Sequence, residues 1–137
     1  AFGYRLRFDG RSVVMSGDTI FCESLLHASQ GADMLVCEAL NVPMLEMRRN
    51  ALRMMGRELQ ASLFGDIPTY HIPTDEVAKL ARSAGVGKLV LSHLIPPIPN
   101  DGPEVQAFTQ GMAALYGGPI HVARDAERIP VEKRATA

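Results

Sequence analysis

The chain has 137 residues and a formal net charge of −1 at pH 7, and this length fits one domain with a substantial core. The near-neutral charge gives no electrostatic support for binding nucleic acid or an anionic membrane. No run approaches the roughly 18 apolar residues of a spanning helix. Cys22 and Cys37 form no C-x-x-C pair, which argues against a cysteine zinc site and favours a reducing compartment such as the cytoplasm. The sequence starts at Ala1 with neither a signal peptide nor an initiator methionine, so we expect further residues upstream.

The first third of the chain predicts a β-hairpin, a helix and a strand. Residues 2–8 alternate apolar and polar side chains and lead into Asp9-Gly10, a strong signal for a type I′ hairpin turn. The returning strand, residues 13–15, runs into Gly17-Asp18-Thr19. Residues 23–29 then predict a short helix, and residues 34–37 predict a buried strand that ends at Glu38.

The middle of the chain predicts one long helix from Pro43 to about Leu63, because leucines recur there every seven residues. Arg49, Arg53 and Arg57 follow one another at intervals of four. This stripe predicts either a solvated helix face or an RNA contact.

The last third predicts two more strands and two more helices. Thr74 can cap a helix that ends at Gly85, an apolar strand covers residues 88–92, and an irregular loop covers 93–103. A helix at 104–115 and a strand at 120–123 follow, with a polar tail from residue 127 that we expect to be flexible. This order predicts an α/β fold, a mixed sheet with helices on one face.

Two residues able to carry chemistry directly follow predicted strands. Asp18 and His93 each stand at the carboxyl end of an apolar strand, where a rigid strand presents polar side chains at the rim of a sheet. Gly17 permits close backbone approach, and Thr19 can hydrogen-bond the Asp18 carboxylate. A carboxylate can bridge two cations and a neutral imidazole offers one ring nitrogen. Taken singly, a Gly-Asp-Thr segment is more often a turn, and a histidine at a strand end is more often hydrogen-bonded than metal-bound.

The ordered set of motifs resembles the metallo-β-lactamase superfamily, on its ribonuclease Z-like and arylsulfatase-like branch. The resemblance extends from Phe2 to Asp125 and rests on the following segments: Gly3-Tyr4-Arg5-Leu6 with Asp9-Gly10, Ser16-Gly17-Asp18-Thr19, Gly31 to Glu38, Tyr70-His71-Ile72-Pro73-Thr74, Ala84-Gly85-Val86 with Lys88 to His93, and Tyr116-Gly117-Gly118. It implies a four-layer αββα sandwich. Residues 1–126 then correspond to the C-terminal half of the domain, and residues 127–137 to the tail.

The resemblance also implies functional roles. Asp18 bridges two divalent ions (zinc, or manganese or iron), His93 ligates one of them, and His71 protonates the leaving group or binds the scissile phosphate. A hydroxide bridging the metals then cleaves a phosphoester, sulfate ester or acyl-type bond of a small-molecule ester. Glu38 either orients a ligand or caps a turn, and His27 and His121 are structural or exposed. The spacing after His71 and the cysteine before Glu38 depart from true ribonuclease Z.

The family's upstream His-x-His-x-Asp-His motif is absent from this sequence. With Asp18 and His93 alone, two cations have too few donors, so we expect the isolated chain to be inactive and to hold no metal by itself. A half-sandwich also exposes an apolar sheet face, which predicts association with the missing N-terminal half or with an identical chain. The alternative is a metal-free α/β interaction module that kept half of the fold and lost catalysis.

Overall fold

A five-stranded mixed sheet forms the centre of the protein in a computed structural model, which describes residues 2–99 and 102–134. The strands follow the predicted order along the chain. They are β1 (Tyr4–Phe8), β2 (Arg11–Met15), β3 (Met34–Leu40), β4 (Lys88–Ile95) and β5 (Ile120–Val122). The α-helices of the described residues are α1 (Glu23–Ser29), α2 (Val42–Met54), α3 (Glu58–Asp66), α4 (Thr74–Ala84), α5 (Pro103–Phe108) and α6 (Met112–Leu115), and a 3₁₀ turn covers Ile67–Thr69.

The spatial order of the strands is the same as their order in the sequence. Strands β1 and β2 form an antiparallel hairpin, whereas β2, β3, β4 and β5 pair in parallel. Asp9 and Gly10 both have positive φ angles, as the predicted type I′ turn requires. Parallel pairing places the carboxyl ends of β2, β3 and β4 at one edge of the sheet.

Helices α1, α4, α5 and α6 cover one face of this sheet and enclose the core. Alternate side chains of β2, β3 and β4 point into that layer, as the two-residue period of a strand requires. The main members of the core are Val14, Leu35, Cys37, Leu89 and Leu91 from the sheet and Leu25, Val77, Leu80, Phe108 and Met112 from the helices. The predicted α/β fold, with a mixed sheet and helices on one face, is confirmed.

The opposite face of the hairpin carries large apolar side chains that remain exposed. Tyr4, Leu6 and Phe8 alternate along β1, and Tyr4 pairs directly with Met15 of β2. The exposed fractions of these four residues range from 45% for Met15 to 86% for Phe8. The expected exposed apolar surface is therefore present on the hairpin, whereas Met34 of β3 and Val90 of β4, on the same face, are buried.

Three local predictions were wrong. The long helix from Pro43 to Leu63 is two helices, α2 and α3, because Gly56 takes a φ of +70° between them, a conformation that glycine adopts without steric cost. The helix predicted at 104–115 is likewise divided into α5 and α6. Thr74 is the first residue of α4 rather than its cap, and Pro73 occupies the N-cap position.

The segment after β5 contains no helix or strand among its described residues, but it contacts the body of the protein. The backbone N–H of Arg134 donates to Asp33 Oδ1 at 2.8 Å, and this bond, with those from Ser12, lowers the pKa of the buried Asp33 carboxyl. Residues 135–137 of the predicted tail lie outside the described residues. No helix among those described is long and apolar enough to cross a membrane.

Candidate metal centre

Four side chains that can bind metal meet at the carboxyl edge of the sheet. Asp18 follows β2, Glu38 lies near the end of β3, and His93 lies near the carboxyl end of β4. His71 comes from the loop before α4. That loop is held against β3 because Leu40 pairs with Pro73 and the Leu40 N–H donates to the carbonyl of Ile72 at 2.9 Å.

The Glu38 carboxylate lies at the centre of this group. Its Oε2 atom hydrogen-bonds Nδ1 of His71 and lies 3.3 Å from Nδ1 of His93. Its Oε1 atom accepts the backbone N–H of Thr19 at 2.6 Å. Nδ1 of His93 is also 3.4 Å from Oδ1 of Asp18. Glu38 therefore connects the two histidines and the loop that carries Asp18.

The four residues differ in burial in a way that separates two possible roles. Glu38 and His71 are buried, whereas the side chains of Asp18 and His93 are 60% and 55% exposed. A buried carboxylate is stable only when its oxygens are hydrogen-bonded, and here both oxygens of Glu38 have partners. Asp18 and His93 therefore face the solvent, and Glu38 and His71 lie buried behind them, with Glu38 in contact with His93 and with the loop of Asp18.

A β-bulge directs His93 into the site. Ser92 pairs with Glu38 and Leu94 pairs with Ala39, so His93 is an extra residue with no partner on β3. Its φ angle is +45°, a conformation that costs a non-glycine residue about 1 kcal/mol or more. Bulges of this kind occur next to active sites, where they change the direction of a side chain.

The turn that carries Asp18 depends on close packing at Gly17. This residue has a φ of +61°, and a Cβ atom there would lie 2.7 Å from the carbonyl oxygen of Phe2. The close backbone approach predicted for Gly17 is confirmed. The hydrogen bond predicted from Thr19 to Asp18 was wrong, because the Thr19 hydroxyl donates to the carbonyl of Ile20 and its backbone N–H is used by Glu38.

The donor set fits one divalent cation. One ligand atom from each of Asp18, Glu38, His71 and His93 lies within 4.8 Å of the others, and mixed carboxylate and imidazole donors suit zinc, manganese and iron. Two cations need donors beyond these four. Cys37 lies beside the group but in the core, where burial raises the pKa of its thiol to about 12, so it is not a ready thiolate ligand.

Sequence reasoning named all four residues of this group but did not predict that they meet. It selected Asp18, His93 and His71 and named Glu38 as a possible orienting residue, but it counted about two donors where the fold gathers four. The other histidines lie elsewhere: His27 is exposed on α1, and Nε2 of His121 is 2.9 Å from Oε2 of Glu127. Glu38 could have been counted among the donors because its strand, β3, lies between the two that precede or carry Asp18 and His93.

Comparison with known proteins identifies relatives of this chain. It is 34% identical over 133 residues to ribonuclease Z of Mycobacterium tuberculosis, an alignment that covers 96% of this chain and 44% of that protein. It is 34% identical over 132 residues to ribonuclease Z of Mycobacterium marinum, covering 96% and 43%. The chain therefore spans less than half the length of these two relatives. No protein-family model matches it.

A solved structure has the same fold. The metallo-β-lactamase fold protein YhfI from Bacillus subtilis superimposes with a TM-score of 0.59 and 20% sequence identity, over 88% of this chain and 40% of that chain. The sheet order, the edge where Asp18, Glu38 and His93 meet, and the ribonuclease Z relatives agree with one another. The chain has the metallo-β-lactamase fold and is ribonuclease Z-like in sequence.

Proposed function

We propose that this chain supplies the downstream part of the active site of a metal-dependent phosphoester hydrolase. The observation that carries the proposal is the convergence of Asp18, Glu38, His71 and His93 at one sheet edge. Phosphoester cleavage is favoured over sulfate ester or acyl cleavage because the relatives bear the name ribonuclease Z. An RNA substrate is the first class to test.

In this proposal Asp18 and His93 hold the metal. Their side chains are more than half exposed at the rim, and Oδ1 of Asp18 and Nδ1 of His93 are 3.4 Å apart, close to the separation of two ligands on one tetrahedral zinc ion. A divalent cation bound there supplies an activated water and polarises the ester oxygen. Two metal ions, of zinc, manganese or iron, require the further ligands that we assign to residues upstream of this chain.

His71 is the proposed proton donor to the leaving group, and Glu38 is the proposed positioning residue. The hydrogen bond between Glu38 and Nδ1 of His71 fixes the imidazole ring and leaves Nε2 as the atom that can hold a proton toward the substrate. Glu38 also holds the Asp18 loop through the backbone N–H of Thr19. One buried carboxylate thus aligns both the proton donor and a metal ligand.

The proposed partner of this chain is the N-terminal half of the same protein. The exposed Tyr4, Leu6, Phe8 and Met15 supply an apolar surface for a second sheet, and burial of such area is the main driving force for association. The ribonuclease Z relatives are more than twice as long as the part that aligns, which supports an upstream half over a second copy of this chain.

The intact protein should hydrolyse bis(4-nitrophenyl) phosphate or a short RNA when loaded with zinc or manganese. Asp18→Asn should abolish turnover with the fold retained, whereas Asp66→Asn, an exposed residue on α3, should have no effect. Full activity of Asp18→Asn would contradict the site assignment. A protein that retains no metal and hydrolyses none of these substrates, nor 4-nitrophenyl sulfate, would favour the interaction module instead.

A further inference from the structure

A groove of about 580 Å³ opens directly beside His93 and leads away from the metal centre. One wall is the loop after β4, with Pro97 and Ile98, and the other is the turn after β5, residues 123–126. Its lining is mixed, because the polar or charged Ser92, His93, Arg124 and Asp125 stand among apolar residues of the two walls. A substrate with its reacting group at His93 would therefore extend along this groove past Arg124.

The turn that carries Arg124 is held in one conformation. Oε2 of Glu127 accepts the backbone N–H of Arg124 at 3.0 Å and lies 2.9 Å from Nε2 of His121. The Glu127 N–H donates in return to the carbonyl of Arg124 at 3.1 Å. The hydrogen bond from His121 lowers the pKa of the Glu127 carboxyl, which keeps this acceptor ionised at neutral pH.

The guanidinium of Arg124 has no hydrogen bond or ion pair within residues 2–99 and 102–134, and the residue is exposed. Its backbone is thus fixed, and its charge, which also attracts the nearby Glu127 carboxylate without a close contact, can interact with a ligand in the groove. Asp125 is the acidic residue in the groove lining, and its carboxylate opposes the binding of an anion. The guanidinium fork binds phosphate in a planar, bidentate manner that lysine cannot reproduce.

We propose that Arg124 is a specificity-determining residue that binds a second phosphate of the substrate, next to the phosphate that is cleaved at the metal centre. This inference rests on the proposed function. It assigns the substrate to compounds with at least two neighbouring phosphates, such as oligonucleotides, and it disfavours esters with one charged group. Arg124 does not take part in the bond-breaking step.

The test compares two substrates in the intact, metal-loaded protein. Bis(4-nitrophenyl) phosphate has one phosphate, and the 5′-phosphorylated dinucleotide pApA has two. Arg124→Ala should lower kcat/KM for pApA relative to bis(4-nitrophenyl) phosphate about tenfold, the loss expected for one charge-assisted hydrogen bond. Arg124→Lys should recover only part of this ratio, and Asp125→Asn should shift it in the opposite direction, in favour of pApA.

Arg128→Ala is the matched control, because Arg128 is exposed on the same segment but does not line the groove. It should leave the ratio unchanged. A change of less than twofold in Arg124→Ala, with both substrates still hydrolysed by the unmodified protein, would overturn this inference and leave the proposed function standing. If the unmodified protein hydrolyses neither substrate, the proposed function itself is overturned.

Discussion

Replacement of Glu38 by glutamine tests whether this carboxylate organises the site. Glutamine has nearly the same shape, but one carboxylate oxygen becomes an NH₂ group that cannot accept a hydrogen bond. The remaining oxygen can still accept the backbone N–H of Thr19. The hydrogen bonds that Oε2 accepts from Nδ1 of His71 and of His93 are then lost, because an NH₂ group can only donate, and only to an Nδ1 atom that carries no proton.

The magnitude follows from the number and kind of the lost contacts. Each hydrogen bond to a charged group contributes about 1.5–3 kcal/mol, and the His93 contact at 3.3 Å is at the long end of the range. Since Glu38 is only 2% exposed, solvent does not replace these partners. We expect the free energy of unfolding to fall by about 2–4 kcal/mol and metal affinity to fall roughly 10- to 100-fold, as for other residues that orient a metal ligand.

Urea denaturation and zinc titration of the intact protein measure the two effects. Glu132→Gln is the control, because the Glu132 side chain is 75% exposed and its carboxylate lies 4.0 Å from the Lys88 ammonium. This control should stay within about 0.5 kcal/mol of the unmodified protein. The same result for Glu38→Gln, together with unchanged zinc affinity, would refute the assignment of Glu38 as the organising residue.

Three further predictions concern the rest of the chain. Gly17→Ala should lower the free energy of unfolding by at least about 1 kcal/mol, because the added Cβ would lie 2.7 Å from the carbonyl oxygen of Phe2 at a positive φ. Urea denaturation measures this loss, and an unchanged midpoint would count against this packing. Asp33→Asn should be destabilised at pH 7. The folded-state pKa of Asp33 is lowered, so its stabilisation is present above the unfolded value of about 3.9 and is lost as pH falls through the folded value; a difference that persists at pH 2 would contradict this. Iodoacetamide at pH 8 should alkylate the half-buried Cys22, whose pKa is lowered mainly by Ser24, and spare the buried Cys37; mass spectrometry distinguishes the two sites, and equal labelling would be contrary evidence.

The positions of the strands could be predicted from the sequence, because their apolar runs and the Asp9-Gly10 turn are local signals. Asp18 and His93 could be selected for the same reason, since each directly follows such a run. The break between α2 and α3 was missed because the leucine repeat continues across Gly56 and outweighs a single glycine in a periodicity argument.

The interior of the site could not be predicted because it depends on contacts between distant segments. The hydrogen bond from His71 to Glu38 joins residues 33 positions apart, and it exists only because the loop before α4 pairs with the end of β3. The bulge at His93 depends on the register between β3 and β4, which no single strand encodes. Sequence alone therefore selected Asp18, His93 and His71 and named Glu38, but it did not predict the contact between Glu38 and His71.

Zinc binding by the intact protein tests the central claim most directly. Equilibrium dialysis followed by metal analysis should find at least one zinc ion per chain. Asp18→Asn and His93→Ala should each reduce this content strongly, and His27→Ala, on the exposed side of α1, should not. Zinc content that is unaffected by both site variants, or absent from the unmodified protein, would contradict a metal centre formed by Asp18 and His93.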